Sequence, residues 1–253
     1  MMFSLAGKRA LVTGGARGIG QAVARGLARQ GASVAILDHD EAGAVATAEE
    51  IAAETGVTTA GVPCDVTRSA SVDQAVAVCV EALGGLDIAV NNAGIGVFCP
   101  AEDLDDDSWD SVMDVNLRGV FICARAEARV MLAQGTGGSI INTASMSAQI
   151  AVPQPQVSYN TSKGGVVMLT RSLAAEWAPR GVRVNCVSPG FTLTPLVRQE
   201  PIASQHELWR SLTPMGRLAE PEDLVGAYVY LASDSASFTT GADLVVDGGY
   251  TVR

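Results

Sequence analysis

Tyr159 and Lys163 stand four residues apart in a stretch whose composition is typical of a helix. Residues at i and i+4 share one face of a helix, so the phenol and the ammonium are neighbours there. A free tyrosine has a pKa of about 10 and is a poor base at neutral pH. A nearby cation favours the phenolate, so the pair can exchange a proton with an alcohol or carbonyl oxygen. Because this spacing is common by chance, it predicts acid–base chemistry only together with other motifs.

A glycine-rich turn follows the first apolar run: Thr13-Gly14-Gly15-Ala16-Arg17-Gly18-Ile19-Gly20. Glycines permit a tight turn and let backbone N–H groups and a helix N-terminus approach a pyrophosphate. The spacing is G-x-x-x-G-x-G instead of the commoner G-x-G-x-x-G, and a plain strand-to-helix turn is the alternative. We predict a dinucleotide site on this turn, with candidate contacts at Gly14, Arg17, Gly18, Ile19 and Gly20.

Asp38 ends the second apolar run, 18 residues after Gly20. An acid at this place accepts hydrogen bonds from an adenosine ribose and repels a 2′-phosphate, which favours NAD over NADP. Arg17 acts in the opposite direction, because a basic residue in the glycine turn attracts a 2′-phosphate. The alternative is a surface residue that opens the next turn. We predict NAD as the cofactor, because Asp38 bears directly on the ribose.

The charged residues exclude several other chemistries. The 253-residue chain has 27 acids against 17 bases, which gives a net charge of −10. So acidic a chain is a poor partner for nucleic acid or an anionic membrane surface. Two scattered histidines, His39 and His206, leave little room for a multi-histidine zinc site, so we expect no metal. Arginine supplies all the bases except Lys8 and Lys163, so a lysine at 163 is unusual for this chain.

The apolar residues and cysteines indicate where the protein resides. No apolar run approaches the roughly 20 residues that a membrane helix needs, and the N-terminal residues lack a signal-peptide core. The five cysteines are widely spaced and form no C-x-x-C pair. We therefore expect a cytoplasmic protein with reduced thiols.

Short apolar runs alternate with longer alanine-rich stretches along the whole chain. The predicted strands are 9–13, 33–37, 59–63, 86–91, 139–143, 182–187 and 244–246, and the predicted helices are 18–30, 41–54, 71–83, 107–133, 158–178 and 221–233. Nearly continuous apolar strands are typical of a parallel sheet covered on both faces. This alternation predicts one doubly wound α/β domain over residues 1–253. The stretch 191–215 interrupts it with three prolines and mixed polarity, and we expect it to form a substrate loop or lid.

Taken together, the motifs resemble the short-chain dehydrogenase/reductase family. Its order and approximate spacing are matched by the glycine turn, Asn91-Asn92-Ala93-Gly94, Asn116, Ser145, Tyr159-x-x-x-Lys163 and Pro189-Gly190. The resemblance implies a seven-stranded parallel sheet of Rossmann type and hydride transfer between nicotinamide and an alcohol/ketone pair. It also implies a homotetramer formed partly through the helices at 107–133 and 158–178.

The resemblance assigns four catalytic residues. Tyr159 is expected to be the general acid/base, and Lys163 to lower its pKa and hold the nicotinamide ribose. Ser145 is expected to hydrogen-bond the substrate oxygen, and Asn116 to support a water that relays protons through Lys163. The interval from Ser145 to Tyr159 is 14 residues, one longer than in many members, and the extra residue is expected within 153–158.

The resemblance also extends the cofactor site. Besides the glycine turn, Asp38, Tyr159 and Lys163, it implies contacts in three further segments. Those residues are Asp65 and Val66 beside adenine, Asn92, Ala93 and Gly94 in the cleft, and Pro189, Gly190, Thr192 and Thr194 at the nicotinamide end.

The substrate remains open at this level, although the motifs look like those of the sugar-alcohol and ketose members. Hydroxyl and amide groups at Ser147, Gln154 and Gln156 suit a polyhydroxylated chain, or merely satisfy the loop's own backbone. An apolar pocket for a cyclic or aromatic ketone is the alternative, with walls from Phe98, Phe191, Leu196 and Trp209.

Three functions are therefore considered. The first is an NAD-dependent polyol dehydrogenase or ketose reductase, in which Ser145, Ser147, Gln154 and Tyr159 contact the substrate. The second is another reductase of the same family, acting on a cyclic ketone or 3-oxoacyl substrate. The third is a dinucleotide-binding redox sensor without catalysis, which the joint presence of Ser145, Tyr159 and Lys163 disfavours.

Overall fold

A computed structural model describes residues 2–195, 197–198 and 202–252. Within these residues one parallel sheet has the strand order β3-β2-β1-β4-β5-β6-β7. The strands are β1 (Arg9–Thr13), β2 (Ser33–Asp38), β3 (Thr59–Pro63), β4 (Ile88–Asn91), β5 (Gly138–Thr143), β6 (Val182–Pro189) and β7 (Asp243–Val246). The predicted doubly wound α/β fold is confirmed.

The central strands are apolar on both faces because helices cover both faces of the sheet. In β1, Leu11 packs into one core cluster, whereas Ala10 and Val12 pack into the cluster on the other face. All three side chains are inaccessible to solvent. Alternation along a strand places successive side chains on opposite faces, so a doubly covered strand has no polar face to show.

Eight α-helices fall within the described residues. They are α1 (Gly18–Arg29), α2 (Glu41–Thr55), α3 (Ser69–Leu83), α4 (Asp106–Met113), α5 (Val120–Gln134), α6 (Val157–Trp177), α7 (His206–Leu212) and α8 (Pro221–Ala232). Helices α1, α2 and α8 contribute to the core on one face of the sheet, and α3, α5 and α6 to the core on the other.

The single helix predicted over 107–133 is wrong in one respect, because a π-helical segment, Asp114–Gly119, separates α4 from α5. Apolar periodicity continues through such a segment, so the pattern does not reveal the wider turn. The acidic run before α4 marks the start of that helix. Asp105 caps α4, since its Oδ1 accepts the Ser108 N–H at 2.7 Å.

The stretch predicted as a lid contains more regular structure than expected. A 3-10 turn, Ile202–Gln205, leads directly into the short helix α7. Near the start of the stretch 191–215, Thr192 forms an isolated parallel bridge with Ala219. Residues 196 and 199–201 of this stretch lie outside the described residues. Among the helices that the structure describes, none has the length and apolar character required to cross a membrane.

The strand order fixes where a ligand binds. The chain runs from β1 through β2 to β3 on one side and then crosses back to β4, which pairs with β1 on the other side. In open α/β sheets the crevice at this reversal, beyond the carboxyl ends of the strands, is the binding place. The glycine turn follows β1 and Asn92 follows β4, so both lie at this crevice.

Candidate active site

Tyr159 and Lys163 lie in the first two turns of α6, as their spacing predicts. The Lys163 side chain is buried, and its Nζ donates a hydrogen bond of 2.8 Å to the Thr143 carbonyl at the end of β5. The same Nζ lies 5.6 Å from the centre of the Tyr159 ring. The ammonium thus spans from α6 to the strand end that precedes Ser145.

Burial shifts the pKa values of both groups. It raises the pKa of Tyr159, and a side-chain hydrogen bond with Ser145 offsets this only in part. It lowers the pKa of Lys163 to about 8. The neighbouring cation was expected to lower the pKa of Tyr159. The structure contradicts that expectation, because desolvation is the largest cause for the phenol.

Ser145 stands where β5 gives way to a 3-10 turn, Met146–Ala148. Its Oγ accepts the Ser147 N–H at 3.1 Å, and its side chain hydrogen-bonds Tyr159. With a backbone donor on the oxygen, the serine hydroxyl keeps its own proton for donation toward the cleft. The longer interval before Tyr159 therefore does not remove Ser145 from the tyrosine.

Asn116 lies in the π-helical segment and is completely buried. Its Oδ1 accepts the Ile95 N–H at 2.8 Å, and its Nδ2 donates to the Ile95 carbonyl at 2.8 Å and to Ser162 Oγ at 3.2 Å. The amide thus joins the segment after Gly94 to the residue beside Lys163. A water relay at Asn116 stays a prediction, whereas this bracing role is visible.

The segment after β4 connects the glycine turn to the catalytic residues. Asn92 Nδ2 donates to the carbonyls of Thr13 and Gly14 at 3.2 and 3.1 Å, and Thr13 Oγ1 accepts the N–H groups of Asn92 and Ala93. At Gly94 an added Cβ would lie 3.6 Å from Lys163 Nζ. The predicted cleft residues therefore lie between the two halves of the site.

The glycine turn has the features required to hold a pyrophosphate. Helix α1 begins without a side-chain cap and without an acid in its first turn, so its first N–H groups remain available to an anion. At Gly20 an added Cβ would lie 2.1 Å from the Gly14 carbonyl oxygen, so no side chain fits there. At Gly18 it would lie 3.4 Å from Thr194 Cγ2, which places Thr194 directly across the cleft. The residues present fit a dinucleotide.

Asp38 ends β2, and its carboxylate is nearly buried. Oδ2 accepts the Ala16 N–H of the glycine turn at 3.1 Å, and Oδ1 accepts the Asp40 N–H at 3.1 Å. His39 Nδ1 lies 2.9 Å from Asp38 Oδ1. Arg17, which follows Ala16 in the glycine turn, is exposed. The surface-residue alternative for Asp38 is wrong, because the carboxylate is fixed against the glycine turn.

The remaining cofactor candidates fall at the two ends of the crevice. Asp65 Oδ1 accepts the N–H and hydroxyl of Thr67, a bond that lowers the pKa of the carboxyl. At the other end β6 runs through Pro189, and the Thr192 hydroxyl donates to the Gly190 carbonyl at 3.0 Å. An added Cβ at Gly190 would lie 2.6 Å from Asp247 Cα, so the glycine lets two chain segments meet. Val66 packs close to Gly119 at the start of α5.

Polar substrate candidates pair with one another in part. Gln156 Nε2 donates to Ser147 Oγ at 3.3 Å and to Asn160 Oδ1 at 2.8 Å. Gln154 Oε1 is buried and has no partner among the described residues. The alternative was that these side chains satisfy the backbone of their own loop. Among the described residues, the bonds of Gln156 run to other side chains instead. Sequence reasoning missed Asn160, although its position directly after Tyr159 was a usable signal.

An aromatic group packs beside the turn that follows Ser145. Phe191 stacks on Trp209 of α7 with ring centres 4.1 Å apart, and Tyr250 meets Phe191 edge-on at 5.3 Å. Tyr250 also packs with Met146 beside Ser145. Of the other predicted wall residues, Phe98 is exposed and Leu196 lies outside the described residues.

No group of three or more His, Cys, Asp or Glu side chains suited to a metal ion exists in the part of the chain that the structure describes. The candidate site combines a cradle for a dinucleotide with a cluster of serine, tyrosine and lysine. Beside that cluster lie the polar group of Ser147, Gln156 and Asn160 and the aromatic group of Phe191, Trp209 and Tyr250, which together we call the chamber.

Comparison with known proteins identifies the family. Residues 14–251 match a family model described as Enoyl-(Acyl carrier protein) reductase. D-threitol dehydrogenase of Mycolicibacterium smegmatis is 44% identical over 251 residues, which cover 99% of this chain and 95% of that protein. NADP-dependent mannitol dehydrogenase of Hypocrea jecorina is 43% identical, with 100% of this chain and 95% of that protein covered.

Among solved structures, a short-chain type dehydrogenase/reductase from Mycobacterium marinum superimposes with a TM-score of 0.96 at 45% identity. The match covers 100% of this chain and 98% of that one. The likeness in fold, sequence and length extends over the whole site. The chain therefore belongs to the short-chain dehydrogenase/reductase family, whose members are oxidoreductases that act on alcohols or carbonyls with a nicotinamide dinucleotide.

Proposed function

We propose that this protein interconverts a sugar alcohol and its ketose with NAD(H), using Tyr159 as the general acid/base. The observation that carries the proposal is the hydrogen-bonded pair Ser145 and Tyr159, set beside the buried ammonium of Lys163 at the mouth of the dinucleotide crevice. When bound, the nicotinamide ring supplies or accepts the hydride at the substrate carbon. The protein must then bind the substrate oxygen and move one proton.

Tyr159 handles that proton. Because burial raises its pKa, the phenol holds its proton at neutral pH and can donate it to a ketone oxygen during reduction. In the oxidative direction the phenolate must accept the alcohol proton, so the reaction is favoured at higher pH. Lys163, charged below its pKa of about 8, stabilises negative charge as it develops at the phenol.

Ser145 binds the substrate oxygen in this scheme. Its Oγ already accepts the Ser147 N–H, so the hydroxyl proton points to the next acceptor, which is the reacting oxygen when a substrate is present. A donor fixed in this way stabilises charge at the oxygen in the transition state without reorganising.

The polar wall of the chamber supports a polyol as substrate. Ser147, Gln156 and Asn160 form a linked group of donors and acceptors close to Ser145, and the buried Gln154 Oε1 offers an acceptor. The names of two similar proteins, a D-threitol and a mannitol dehydrogenase, point to the same substrate class. The stacked pair Phe191 and Trp209 favours a second candidate, a reductase of cyclic or aromatic ketones.

Asp38 supports NAD as the cofactor. A nearly buried carboxylate held beside Ala16 cannot turn away from a 2′-phosphate, so the extra phosphate of NADP would meet a negative charge there. Exposed Arg17 and His39 flank the same place and act in the opposite direction. The similarity to an NADP-dependent mannitol dehydrogenase also opposes this part of the proposal.

A homotetramer built partly through α5 and α6 is a further part of the proposal. Phe121 on α5 and Met168 on α6 are 39% and 59% exposed, although both are large and apolar. Exposed apolar side chains on neighbouring helices are typical of faces that a second copy covers.

A substrate panel tests the proposal. Purified protein is offered tetritols, pentitols, hexitols and cyclic alcohols with NAD and with NADP, and the corresponding ketones with the reduced cofactors. We expect the highest kcat/KM for a polyol with NAD. Turnover of cyclic alcohols alone would favour the second candidate, whereas dinucleotide binding without turnover of any alcohol or ketone would leave a redox sensor.

A further inference from the structure

A line of four polar side chains crosses the core beneath the active site. Asn91 Nδ2 donates to Glu127 Oε2 and to Asn142 Oδ1, both at 3.1 Å, and Asn142 Nδ2 donates to Thr170 Oγ1 at 2.9 Å. None of the four is more than 1% exposed. None of them belongs to the site described above. We call this line the buried polar chain.

The buried polar chain joins the four elements that carry the active site. Glu127 lies on α5, after the segment that holds Asn116, and Asn91 is the last residue of β4, directly before Asn92. Asn142 is its register partner on β5, three residues before Ser145.

Thr170 lies on α6, seven residues after Lys163 and therefore on the same face of that helix. One continuous set of contacts thus couples the strand ends and helices that hold Asn116, Ser145, Tyr159 and Lys163.

Stability does not explain this arrangement. The buried polar chain lies beside an apolar cluster that includes Cys123, Ala124 and Leu173. Two of its atoms, Glu127 Oε1 and Asn91 Oδ1, are buried without a partner among the described residues. Apolar residues of similar volume at such places are often as stabilising or more so, whereas polar ones fix a single arrangement.

The surroundings of Glu127 also define its charge. Burial raises the pKa of this carboxyl to about 8, with only the Asn91 hydrogen bond acting in the other direction. The titratable groups packed near it are the buried thiols of Cys64, Cys79 and Cys123, whose pKa values burial raises as well. The side-chain hydrogen-bond partner of Glu127 among the described residues is the uncharged Asn91 amide, which leads through Asn142 to the Thr170 hydroxyl. At neutral pH the buried polar chain is therefore uncharged.

We propose that Glu127 is a positioning residue for hydride transfer, acting through Asn91, Asn142 and Thr170 to fix Ser145 and Tyr159 relative to the cofactor crevice. This inference rests on the proposed function. A displacement of about 1 Å at a reacting group lowers the rate by orders of magnitude even when binding is unaffected. Loss of the chain should accordingly lower kcat and leave KM and dinucleotide affinity nearly unchanged.

Three variants test the proposal. Glu127→Gln keeps an uncharged group with the same shape and hydrogen bonds, whereas Glu127→Leu removes them. Thr170→Val removes the acceptor at the other end with almost no change of volume, so it reports even where Glu127→Leu fails to fold. Ser139→Ala is the matched control, because its buried hydroxyl bonds Leu231 at the far end of β5.

The readouts are kcat and KM for the best polyol, NAD affinity by titration, and the melting temperature. We expect kcat to fall about tenfold or more in Glu127→Leu and about threefold in Thr170→Val, with KM and NAD affinity within about threefold. Glu127→Gln and Ser139→Ala should keep kcat, KM and NAD affinity within about twofold of the parent.

Two kinds of result would overturn the inference while the parent enzyme is active. One is an unchanged kcat in Glu127→Leu and Thr170→Val. The other is a loss in Glu127→Gln as large as in Glu127→Leu, because the conservative change would then fail to rescue. A parent protein that turns over no alcohol or ketone would instead remove the proposed function, and this inference with it.

Discussion

The stability that Glu127→Gln gains over the parent protein should increase as the pH rises. The parent carboxyl has an ordinary pKa of 4.5 in the unfolded chain and a pKa of about 8 when buried in the folded chain. Between these values the folded state holds a proton that the unfolded state has lost. Stability therefore falls as the pH rises through this interval and is constant above it. Glutamine does not titrate, so the variant escapes this loss.

The size of the effect follows from the two pKa values. Each pH unit between 4.5 and about 8 lowers the parent's free energy of unfolding by about 1.4 kcal/mol relative to the variant. Over the whole interval the difference reaches about 5 kcal/mol, which is comparable to the total stability of many domains. Few single side chains of an acidic protein produce a pH dependence of this size.

Urea denaturation at pH 5, 6, 7 and 8 measures the difference, at one fixed protein concentration because the proposed tetramer would dissociate on unfolding. Glu176→Gln on the exposed side of α6 is the matched control, and its stability should follow the parent within about 0.5 kcal/mol at every pH. Parallel pH profiles for the parent and Glu127→Gln would refute the reasoning, since the buried carboxyl would then titrate as it does in water.

Three further outcomes are expected. Asp38→Ala should weaken NAD binding and reduce the preference for NAD over NADP by about tenfold, because the variant lacks the buried carboxylate proposed to face the ribose. Titration with both cofactors measures this preference, and an unchanged preference would contradict the prediction. Lys163→Arg should lower kcat by about 100-fold, because the planar guanidinium cannot take the place of a compact ammonium that donates to the Thr143 carbonyl; full activity would contradict this assignment. Alcohol oxidation should accelerate with rising pH and ketone reduction with falling pH, because burial raises the pKa of Tyr159 and the two directions need opposite protonation states; initial rates from pH 6 to 9 that rise together would exclude this role.

The architecture was predictable because a doubly covered sheet has a simple signature. The strands β1 and β3 begin and end at the predicted residues. The break between α4 and α5 was not predictable, because the π-helical segment keeps the apolar pattern of an ordinary helix. The same limit applied to α7, whose seven residues are too few for periodicity to emerge.

The candidate site divides in the same way. Ser145, Tyr159 and Lys163 carry recognisable motifs, and the structure brings them together. The expected lowering of the Tyr159 pKa beside Lys163 is not found, because desolvation depends on the complete packing around the phenol, which spacing does not encode.

The contacts of the buried polar chain were not visible in the sequence, although Asn91 belongs to the motif Asn91-Asn92-Ala93-Gly94. They join residues 36 and 51 positions apart, a separation at which the local pattern carries no signal. Tyr250 is similar, because only the folding of the C-terminal turn against Phe191 places its ring in the chamber.

The most direct test of the central claim compares the parent with Tyr159→Phe in the presence of NAD and D-threitol or the best polyol of the panel. The account predicts that the parent forms NADH and ketose in equal amounts, whereas Tyr159→Phe binds NAD with nearly the same affinity and forms neither product. Substantial NADH formation by Tyr159→Phe, or none by the parent with any polyol, would contradict it.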